Sequence, residues 1–324
     1  MSFKEKLKFI LPCFLSLIGC KKVPVGKMIV IPDKIEANKV VKLTFIYKPD
    51  VYLKRGDMLF ILQMGWSKPQ IDDPHKLGYI SAKVKGADFV MRPIVMDGLW
   101  YGLCISLEIL SGEVKPGSPI VIKYKGKAPD CATQQKFLVF LLKNGRIRLI
   151  DEVPFYILPS EPVMLRCIAP SDVKVGEKFK VRVVALDKHA NATYKYKGEV
   201  RLICDNFKYE GMHKFTQNDS GIYVFENCYF TKPGIYRIKI SDNTGIKKYL
   251  SNPVVCHSDT PFLRRYYGDI QIHTAYCDAR QYVSPRHCYW YAKEVSGLDF
   301  AALTSHAERL TSAEWDSFKV LAED

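Results

Sequence analysis

Short apolar or alternating segments, separated by turn-forming residues, dominate the first half of the chain. Seven such runs lie between residues 24 and 158, with clusters of Gly, Pro, Asp and Asn between them. Runs of this length are typical of β-strands, and the dipeptide Asn144-Gly145 between the last two is a strong hairpin signal. The pattern predicts a β-sandwich-like domain over residues 24–158. The runs are Met28–Ile31, Val40–Tyr47, Met58–Leu62, Trp100–Leu110, Ile120–Tyr124, Lys136–Leu142 and Ile147–Ile150.

A second β domain is predicted from residue 161 to residue 256. Apolar and basic residues alternate strictly over Lys178–Val183, and Thr231–Ile240 has the pattern of a turn followed by a strand of the same kind. Such alternation indicates antiparallel strands with one face in the core and the other in water. The order of these elements resembles that of bacterial immunoglobulin-like domains. The resemblance implies an immunoglobulin-like β-sandwich and no particular function.

The composition is that of an ordered protein with more than one domain. The chain has 324 residues, of which 48% are hydrophobic and 12% aromatic, so it is long enough to bury several cores. The formal net charge of +14 would favour anionic partners. The basic residues are nevertheless scattered through strand-like segments, as expected of solvated sheet faces, and no basic stripe is interleaved with aromatic residues. We therefore predict no nucleic-acid binding.

Residues 1–22 have the features of an export signal. Three lysines precede the apolar run Phe9–Gly19, which is too short to span a bilayer. Leu17-Ile18-Gly19-Cys20 resembles a bacterial lipobox, in which the cysteine is lipidated and becomes the mature N-terminus. This interpretation predicts an exported lipoprotein attached to the membrane through Cys20. The alternative is a true start at Met28 and a cytoplasmic protein.

The ten cysteines contain no CxxC pair. Because structural zinc sites usually draw on closely spaced ligand pairs, no such site is predicted among them. Cys204 and Cys228 lie in apolar runs and are expected to be buried thiols. The sequence alone does not define any disulfide pairing.

The pattern of the chain changes over residues 266–324. A strand-like run, Tyr267–His273, is followed by a helix that Ser284 would cap and Gly297 would end. A second apolar strand, Leu298–Thr304, and a capping box that opens another helix at Thr311 come next. This order of β-loop-α-β-α predicts the start of a parallel α/β barrel or sheet.

Candidate metal ligands follow both predicted strands. His273 and Asp278 come after the first strand, and His306 and Glu308 come after the second. Polar side chains beyond the carboxyl ends of parallel strands converge on one site. Two imidazoles with carboxylates suit a divalent transition metal that activates water.

These residues resemble the first two motifs of the PHP (polymerase and histidinol phosphatase) superfamily, and in particular a branch with N-terminal β domains. The motifs are Gly268–Asp278 and Leu298–Glu308. The resemblance implies a distorted (β/α)7 barrel, a cluster of two or three zinc, manganese or iron ions, and hydrolysis of phosphoester or related small-molecule substrates. His273 falls on the second histidine of the first motif and His306 on the histidine of the second. The predicted fold class is therefore multidomain: two all-β sandwich-like domains, the second immunoglobulin-like, and the start of a PHP-type α/β (TIM-like) barrel.

Two departures from the family pattern weaken the predicted site. Gln271 stands in place of the first histidine, and Ser305 stands in place of an aspartate; an amide is a poor ligand for such metals. Asp269 and Thr274 keep positions that support the motif. Residues 267–324 are also far fewer than the roughly 200 residues that a barrel needs. We therefore expect a metal only in a complete barrel and none otherwise, assign no catalytic residue, and predict no hydrolase activity for this chain.

Three hypotheses for function follow. The chain is the N-terminal portion of a PHP-like metal-dependent phosphoesterase, a product that has lost catalysis, or a non-catalytic envelope protein whose β domains bind a partner or a polysaccharide. Metal retained by the purified protein would favour the first hypothesis. Binding by residues 24–256 alone would favour the third. Substrate, metal identity and oligomeric state are not predicted.

Overall fold

The structure, a computed structural model, describes residues 23–94, 102–276 and 283–323. The chain folds into two compact units. Unit 1 holds the described residues up to Leu158, together with Ala275, Tyr276 and Val283 and the described residues from His306 on. Unit 2 holds Pro159–Thr274 and Ser284–Ser305. Both units therefore draw on the last part of the chain, and the domain ranges taken from the sequence stay predictions.

Unit 1 is built from two β-sheets with its main core between them, and a smaller buried cluster that includes Phe60 and Phe140 is separate from this core. The first sheet has the order β1-β3-β9-β6, and the second has the order β2-β11-β10-β5-β8-β4 with β7 also paired to β8. The strands are β1 Gly26–Ile31, β2 Lys34–Glu36, β3 Val40–Pro49, β4 Leu53–Lys54, β5 Met58–Met64, β6 Ile80–Lys83, β7 Ala87–Pro93, β8 Gly102–Val114, β9 Ile120–Lys127, β10 Gln134–Lys143 and β11 Arg146–Leu158.

The core of unit 1 lies between the inward faces of its two sheets. Phe45 on β3 and Phe137 on β10 meet edge to face with their ring centroids 5.0 Å apart, and Trp66 packs beside them, 3% exposed. The hairpin predicted at Asn144-Gly145 is confirmed, since β10 pairs with β11 up to Lys143 and Arg146. Both turn residues have positive φ, 50° and 72°, which a two-residue turn of this kind requires.

Unit 2 is also a β-sandwich around its own core. Its sheets have the orders β16-β18-β14-β12-β21, β13-β22-β19 and β17-β15-β20, and an additional parallel pair is β23-β24. The strands are β12 Pro162–Ile168, β13 Asp172–Lys174, β14 Phe179–Asp187, β15 Glu199–Ile203, β16 Phe207–Lys208, β17 His213–Lys214, β18 Ile222–Phe230, β19 Gly234–Tyr236, β20 Lys239–Asp242, β21 Lys247–Lys248, β22 Val254–His257, β23 Gly268–Ile272 and β24 Phe300–Leu303.

The alternation predicted for β14 is confirmed. Phe179, Val181 and Val183 are buried in the core of unit 2, and Lys180 is exposed. The thiol of Cys228 on β18 is buried in the same core, as expected from its apolar surroundings in the sequence. The sheet arrangement of unit 2 fits the immunoglobulin-like description.

The helices are few and short. Unit 2 has a 3-10 turn at Gln217–Asp219, helix α1 at Pro285–Trp290, and a π-helical turn at Tyr291–Ser296 that continues α1. Unit 1 has a 3-10 turn at Ala307–Arg309 and helix α2 at Ser312–Glu323. The predicted caps are confirmed: the Ser284 hydroxyl accepts a hydrogen bond from the amide of His287 at 3.3 Å, and Gly297 ends the helix with φ 66°.

The predicted fold class is wrong in its α/β part, because the described chain is nearly all β and contains no barrel. β23 and β24 run parallel as expected, but they pair only with one another among the described residues. Four of the five residues of β23 are exposed, whereas a barrel strand is covered on both faces.

The helix that should cover these strands packs elsewhere, and this is the physical reason for the error. Val295 of the π-helical turn is fully buried against Val184 and Leu186 of β14. The Tyr291 hydroxyl donates a hydrogen bond to the carbonyl of Ala190 at 2.9 Å, and Arg182 donates to the carboxylate of Glu294 at 3.0 Å. The apolar side of the helix therefore belongs to the sandwich of unit 2.

Candidate functional site

The four predicted metal ligands do not form a set in the described chain. His273 follows β23 in unit 2, whereas His306 and Glu308 belong to unit 1. Asp278 lies outside the described residues. The Nδ1 atom of His306 is 3.4 Å from Oε1 of Glu308, whose side chain is largely exposed.

The His, Cys, Asp and Glu side chains of the described residues do not come together in a group that could bind a metal cluster. In residues 23–94, 102–276 and 283–323, no group of three or more His, Cys, Asp or Glu side chains is placed to hold an ion. The described residues thus do not fit a zinc, manganese or iron cluster. A metal site that includes Asp278 stays a prediction, and we derive no reaction step from it.

The residues that were expected to support the motif have local structural roles. The carboxylate of Asp269 accepts a hydrogen bond from the amide of Gln271 at 2.9 Å, which accompanies the irregular register between β23 and β24. The buried hydroxyl of Thr274 lies 3.0 Å from the hydroxyl of Ser305, so the two segments are joined just after both strands. Cys20, the predicted lipid attachment site, lies outside the described residues.

The most unusual surface of unit 2 is an apolar one, formed by the segment Phe262–Tyr267 and by β23. The sequence of the segment is Phe-Leu-Arg-Arg-Tyr-Tyr, and we call it the aromatic segment. Its apolar and aromatic side chains face water: the side chain of Phe262 is 98% exposed and that of Leu263 is 78% exposed. Ile270 on β23 is 74% exposed. Contiguous exposure of this kind marks interaction surfaces, because apolar area in water is unfavourable.

The two arginines of the aromatic segment are bound to the sandwich. Arg265 donates from Nε and Nη2 to the two carboxylate oxygens of Asp172, both at 2.9 Å, and its amide also donates to Asp172 at 2.8 Å. Arg264 also forms a bidentate pair, donating from Nη1 and Nη2 to the two carboxylate oxygens of Glu177 at 2.7 and 2.9 Å. Bidentate pairs of this kind fix geometry as well as charge. His257 adds a fourth contact, with Nε2 2.8 Å from Oδ1 of Asp172.

The electrostatics of these pairs favour the charged forms. Hydrogen bonds from Arg265 hold the pKa of Asp172 far below its usual value, and further contacts with His257 and the Arg265 amide add to the effect. Hydrogen bonds from Arg264 lower the pKa of Glu177 in the same way. Both carboxylates are therefore ionised at neutral pH, and the segment stays attached to β13 and to the turn that follows it.

The polarity of the aromatic segment is thus the reverse of an ordinary surface loop. Its charged groups bind to the protein, while Phe262, Leu263, Tyr266 and Tyr267 are left exposed. Because the backbone is held at Arg265, these side chains are presented from a fixed position. A fixed surface loses less conformational entropy when it binds a partner.

β23 adds an open strand edge to this apolar surface. β24 is its one partner strand in the described part of the chain. The ring of Phe300 on β24 lies against Gly268, where an added Cβ atom would be 2.4 Å from the ring. The close approach explains the glycine at this position. The arrangement can accept a further strand by backbone hydrogen bonding.

The sequence did not point to this surface, since His257–Arg265 has the composition of a polar linker. The signal that could have revealed it is the alternation of apolar pairs with an arginine pair in Phe262–Tyr267. A solvated linker has no physical reason to carry four large apolar residues. No helix in the described residues has the length and apolar character needed to cross a membrane.

No family model matches the chain. An uncharacterized protein of Chlamydia muridarum (strain MoPn / Nigg) is 26% identical over 98 residues, which are 30% of this chain and 16% of that protein. The match thus covers less than a fifth of the relative's own length.

Several solved structures of bacterial proteins match the chain with low sequence identity and low TM-scores. The Escherichia coli adhesin FdeC has 14% identity and a TM-score of 0.32, over 72% of this chain and 63% of FdeC. The Yersinia pseudotuberculosis adhesin InvE has 8% identity and a TM-score of 0.24, over 71% of this chain and 58% of InvE. The C-terminal domain of the Streptococcus pyogenes antigen I/II-family protein AspA has 12% identity and a TM-score of 0.29, over 73% of this chain and 100% of that domain. TM-scores below 0.5 do not establish a common fold.

The predicted PHP relationship is wrong. No family model supports it, and the two motif strands form a two-stranded sheet on a β-sandwich unit in place of a barrel. The match in sequence was confined to two strand ends, and short motifs of this kind arise without the fold that gives them a function.

Proposed function

We propose that this chain is a non-catalytic protein of the cell envelope that binds an extended polypeptide on the surface formed by the aromatic segment and β23. The observation that carries the proposal is the reversed polarity of Phe262–Tyr267. Arg264 and Arg265 bind Glu177 and Asp172, and the apolar residues on either side of them face water. A soluble domain gains nothing from this arrangement unless the apolar area is covered by a partner.

The open edge of β23 favours a polypeptide over a polysaccharide as the partner. An extended peptide can add to the edge by main-chain hydrogen bonds, while its side chains contact Ile270 and the tyrosines. Tyrosine and phenylalanine contribute large contact areas with few rotatable bonds. A polysaccharide would use the aromatic rings alone and would leave the strand edge open.

The envelope location is supported by the predicted export signal and by the predicted lipidation of Cys20. Fractionation of the native cells tests it. We expect the full chain in the membrane fraction and its Cys20→Ser variant in a soluble fraction. Equal distribution of both proteins would contradict lipid attachment.

Site-specific photo-cross-linking tests the binding surface. A photoreactive phenylalanine analogue at Phe262 in the full chain, produced in its native cell, is expected to give a discrete adduct of higher mass. The matched control carries the analogue at Tyr156 of β11, an aromatic residue of unit 1 that is 43% exposed. An Ile270→Asp variant should lose the adduct, because a charge at the edge opposes strand addition.

The outcomes separate the candidates clearly. A peptide adduct that is specific to position 262 and sensitive to Ile270→Asp supports the proposal. An adduct that carries glycan, or one that is indifferent to Ile270→Asp, would replace the strand-addition proposal with a polysaccharide or ring-based contact. Equal labelling at positions 262 and 156 would contradict a binding surface at this place.

A further inference from the structure

The outward face of the four-stranded sheet in unit 1 is strongly basic. Its strands, β1, β3, β6 and β9, contain seven lysines and no aspartate or glutamate. Inward positions such as Phe45 and Ile122 are fully buried. Because successive side chains of a strand point to opposite faces, every lysine lies on the outward face. The seven lysines, which we call the lysine face, are Lys27, Lys42, Lys48, Lys83, Lys123, Lys125 and Lys127.

Some of these charges lie directly opposite one another. Lys27 of β1 is paired in register with Lys48 of β3, and Lys42 of β3 is paired with Lys125 of β9. Like charges that face each other across a sheet destabilise it. None of the seven lysines forms an ion pair with a carboxylate of the described residues; Lys125 donates to the carbonyl oxygen of His75. The repulsion is therefore not relieved within the described chain.

Apolar residues occupy several of the other outward positions. Ile29, Ile46 and Val121 form one cross-strand row, with Lys83 at its end. Ile29 is 42% exposed, and Ile31 beside it is 53% exposed. The face thus combines its seven lysines with β-branched apolar side chains on β1 and β3.

We propose that the lysine face binds a surface of anionic lipid headgroups. Lysine ammonium groups on flexible stems reach negatively charged headgroups, and each one near such a surface strengthens binding roughly fivefold. The isoleucines of β1 enter the boundary between headgroups and acyl chains, where apolar side chains are favoured. Binding also relieves the repulsion between the opposed lysine pairs.

The composition of the face favours lipid over nucleic acid or an acidic polysaccharide. Its outward positions carry no arginine for bidentate phosphate contacts and no aromatic ring for stacking on bases or sugars. Exposed isoleucines would contribute nothing to a hydrophilic polyanion. These features match an interfacial surface.

The position of the face along the chain agrees with this partner. β1 begins at Gly26, a few residues after Cys20, and an extended segment of six residues spans only about 20 Å. A lipid on Cys20 would hold β1 close to the headgroups. This step rests on the envelope location in the proposed function, whereas the chemistry of the face does not.

Vesicle binding by unlipidated protein tests the face through its variants, because residues 1–22 are the same in every protein compared. The full chain with Cys20→Ser is mixed with phosphatidylcholine vesicles that contain or lack phosphatidylglycerol, at low and at high salt. We expect binding only to the anionic vesicles, and loss of that binding at high salt. A variant with Lys27, Lys48 and Lys123 changed to Gln should bind roughly a hundredfold more weakly.

A charge-matched control removes the effect of net charge. Lys208, Lys214 and Lys232 are exposed lysines of unit 2, and changing all three to Gln should alter binding by no more than about threefold. Circular dichroism of both variants checks that they fold. Equal loss of binding in the two variants would overturn the proposal, because it would reduce the effect to net charge.

A third variant distinguishes lipid from other anions. Ile29→Ser with Ile31→Ser should weaken binding to anionic vesicles and leave binding to soluble polyanions, such as polyphosphate or duplex DNA, unchanged. Tighter binding to a soluble polyanion than to vesicles would overturn lipid as the partner. Absence of binding to anionic vesicles at low salt would overturn the proposal whatever the cross-linking at Phe262 shows.

Discussion

The guanidinium of Arg265 binds both carboxylate oxygens of Asp172, with each N–O distance at 2.9 Å. Asp172 is 5% exposed, and it also contacts His257 and the amide of Arg265. One carboxylate on β13 therefore fixes the backbone of a segment 93 residues further along the chain. Removal of its charge should free that segment without touching the exposed apolar side chains.

The first prediction concerns the change Asp172→Asn. An amide cannot accept the bidentate contact of Arg265 as a carboxylate does, so we expect unit 2 to lose about 1–3 kcal/mol of stability. Amides of Phe262–Tyr267 should exchange hydrogen faster, because their anchor is lost. Hydrogen exchange read by mass spectrometry measures both effects. Asp259→Asn, at an exposed carboxylate of the same linker, is the control, and equal exchange in the two variants would refute the anchoring role.

The second prediction concerns the stability of unit 2 at acid pH. Burial by itself raises the pKa of Asp187, but hydrogen bonds from Ser160 and Asn191 outweigh it and the pKa is lowered. The unfolded value is about 4, so the stabilisation is fully present above that pH and is lost as the pH falls below it toward the folded pKa. The pKa of Asp172 is also lowered, by its hydrogen bonds with Arg265, so its stabilisation is lost over the same acid range. Unit 2 should therefore lose stability on going from neutral pH to pH near 3.

The variant Asp187→Asn isolates the contribution of one group. It should be less stable than the natural chain by about 2 kcal/mol at neutral pH, since Asp187 accepts hydrogen bonds from the amides of Ser160, His189 and Asn191. Its stability should also fall less steeply in acid. Urea unfolding at neutral pH and near pH 3 compares the two proteins, and identical pH dependence would argue against this role of Asp187.

Local features of the fold were predictable from the sequence, and long-range ones were not. The Asn144-Gly145 hairpin, the alternation of β14 and the caps at Ser284 and Gly297 depend on neighbouring residues, and the structure confirms each of them. The barrel prediction was wrong because two parallel strands and a helix have the same sequence pattern whichever surface the helix packs on. Val295 packs against Val184 and Leu186, which are far away in sequence, so its position could not be read from the neighbouring residues.

The two surfaces proposed to bind partners could not be predicted from the sequence for the same reason. Arg264 and Arg265 resemble solvated linker charges until Glu177 and Asp172 are placed beside them. The lysines of β1, β3, β6 and β9 resemble ordinary outward residues on each strand taken alone. Only the register that sets Lys27 against Lys48 shows that one face collects them.

The third prediction concerns the packing of the helical segment on unit 2. Val295 is fully buried against Val184 and Leu186, so Val295→Ala should cost about 2 kcal/mol through lost apolar burial and the cavity left behind. Val320→Ala on α2, at a side chain that is 60% exposed, is the matched control and should cost less than about 0.5 kcal/mol. Urea unfolding measures both. A barrel-like role for the segment would leave the stability of the sandwich unchanged by Val295→Ala.

The last prediction concerns catalysis and metal. The Nδ1 atom of His306 lies 3.4 Å from Oε1 of Glu308, and the described residues hold no group of three or more side chains placed to bind a metal. We therefore expect the purified full chain, after exposure to zinc, manganese or iron and removal of the excess, to retain less than one ion per molecule by elemental analysis. We also expect no turnover of a generic phosphodiester. A hydrolytic rate that His273→Ala abolishes and His213→Ala leaves intact would contradict the second expectation, because it would place His273 in a catalytic site. Tight stoichiometric metal without turnover would contradict the first expectation alone and would leave the polypeptide-binding proposal unaffected.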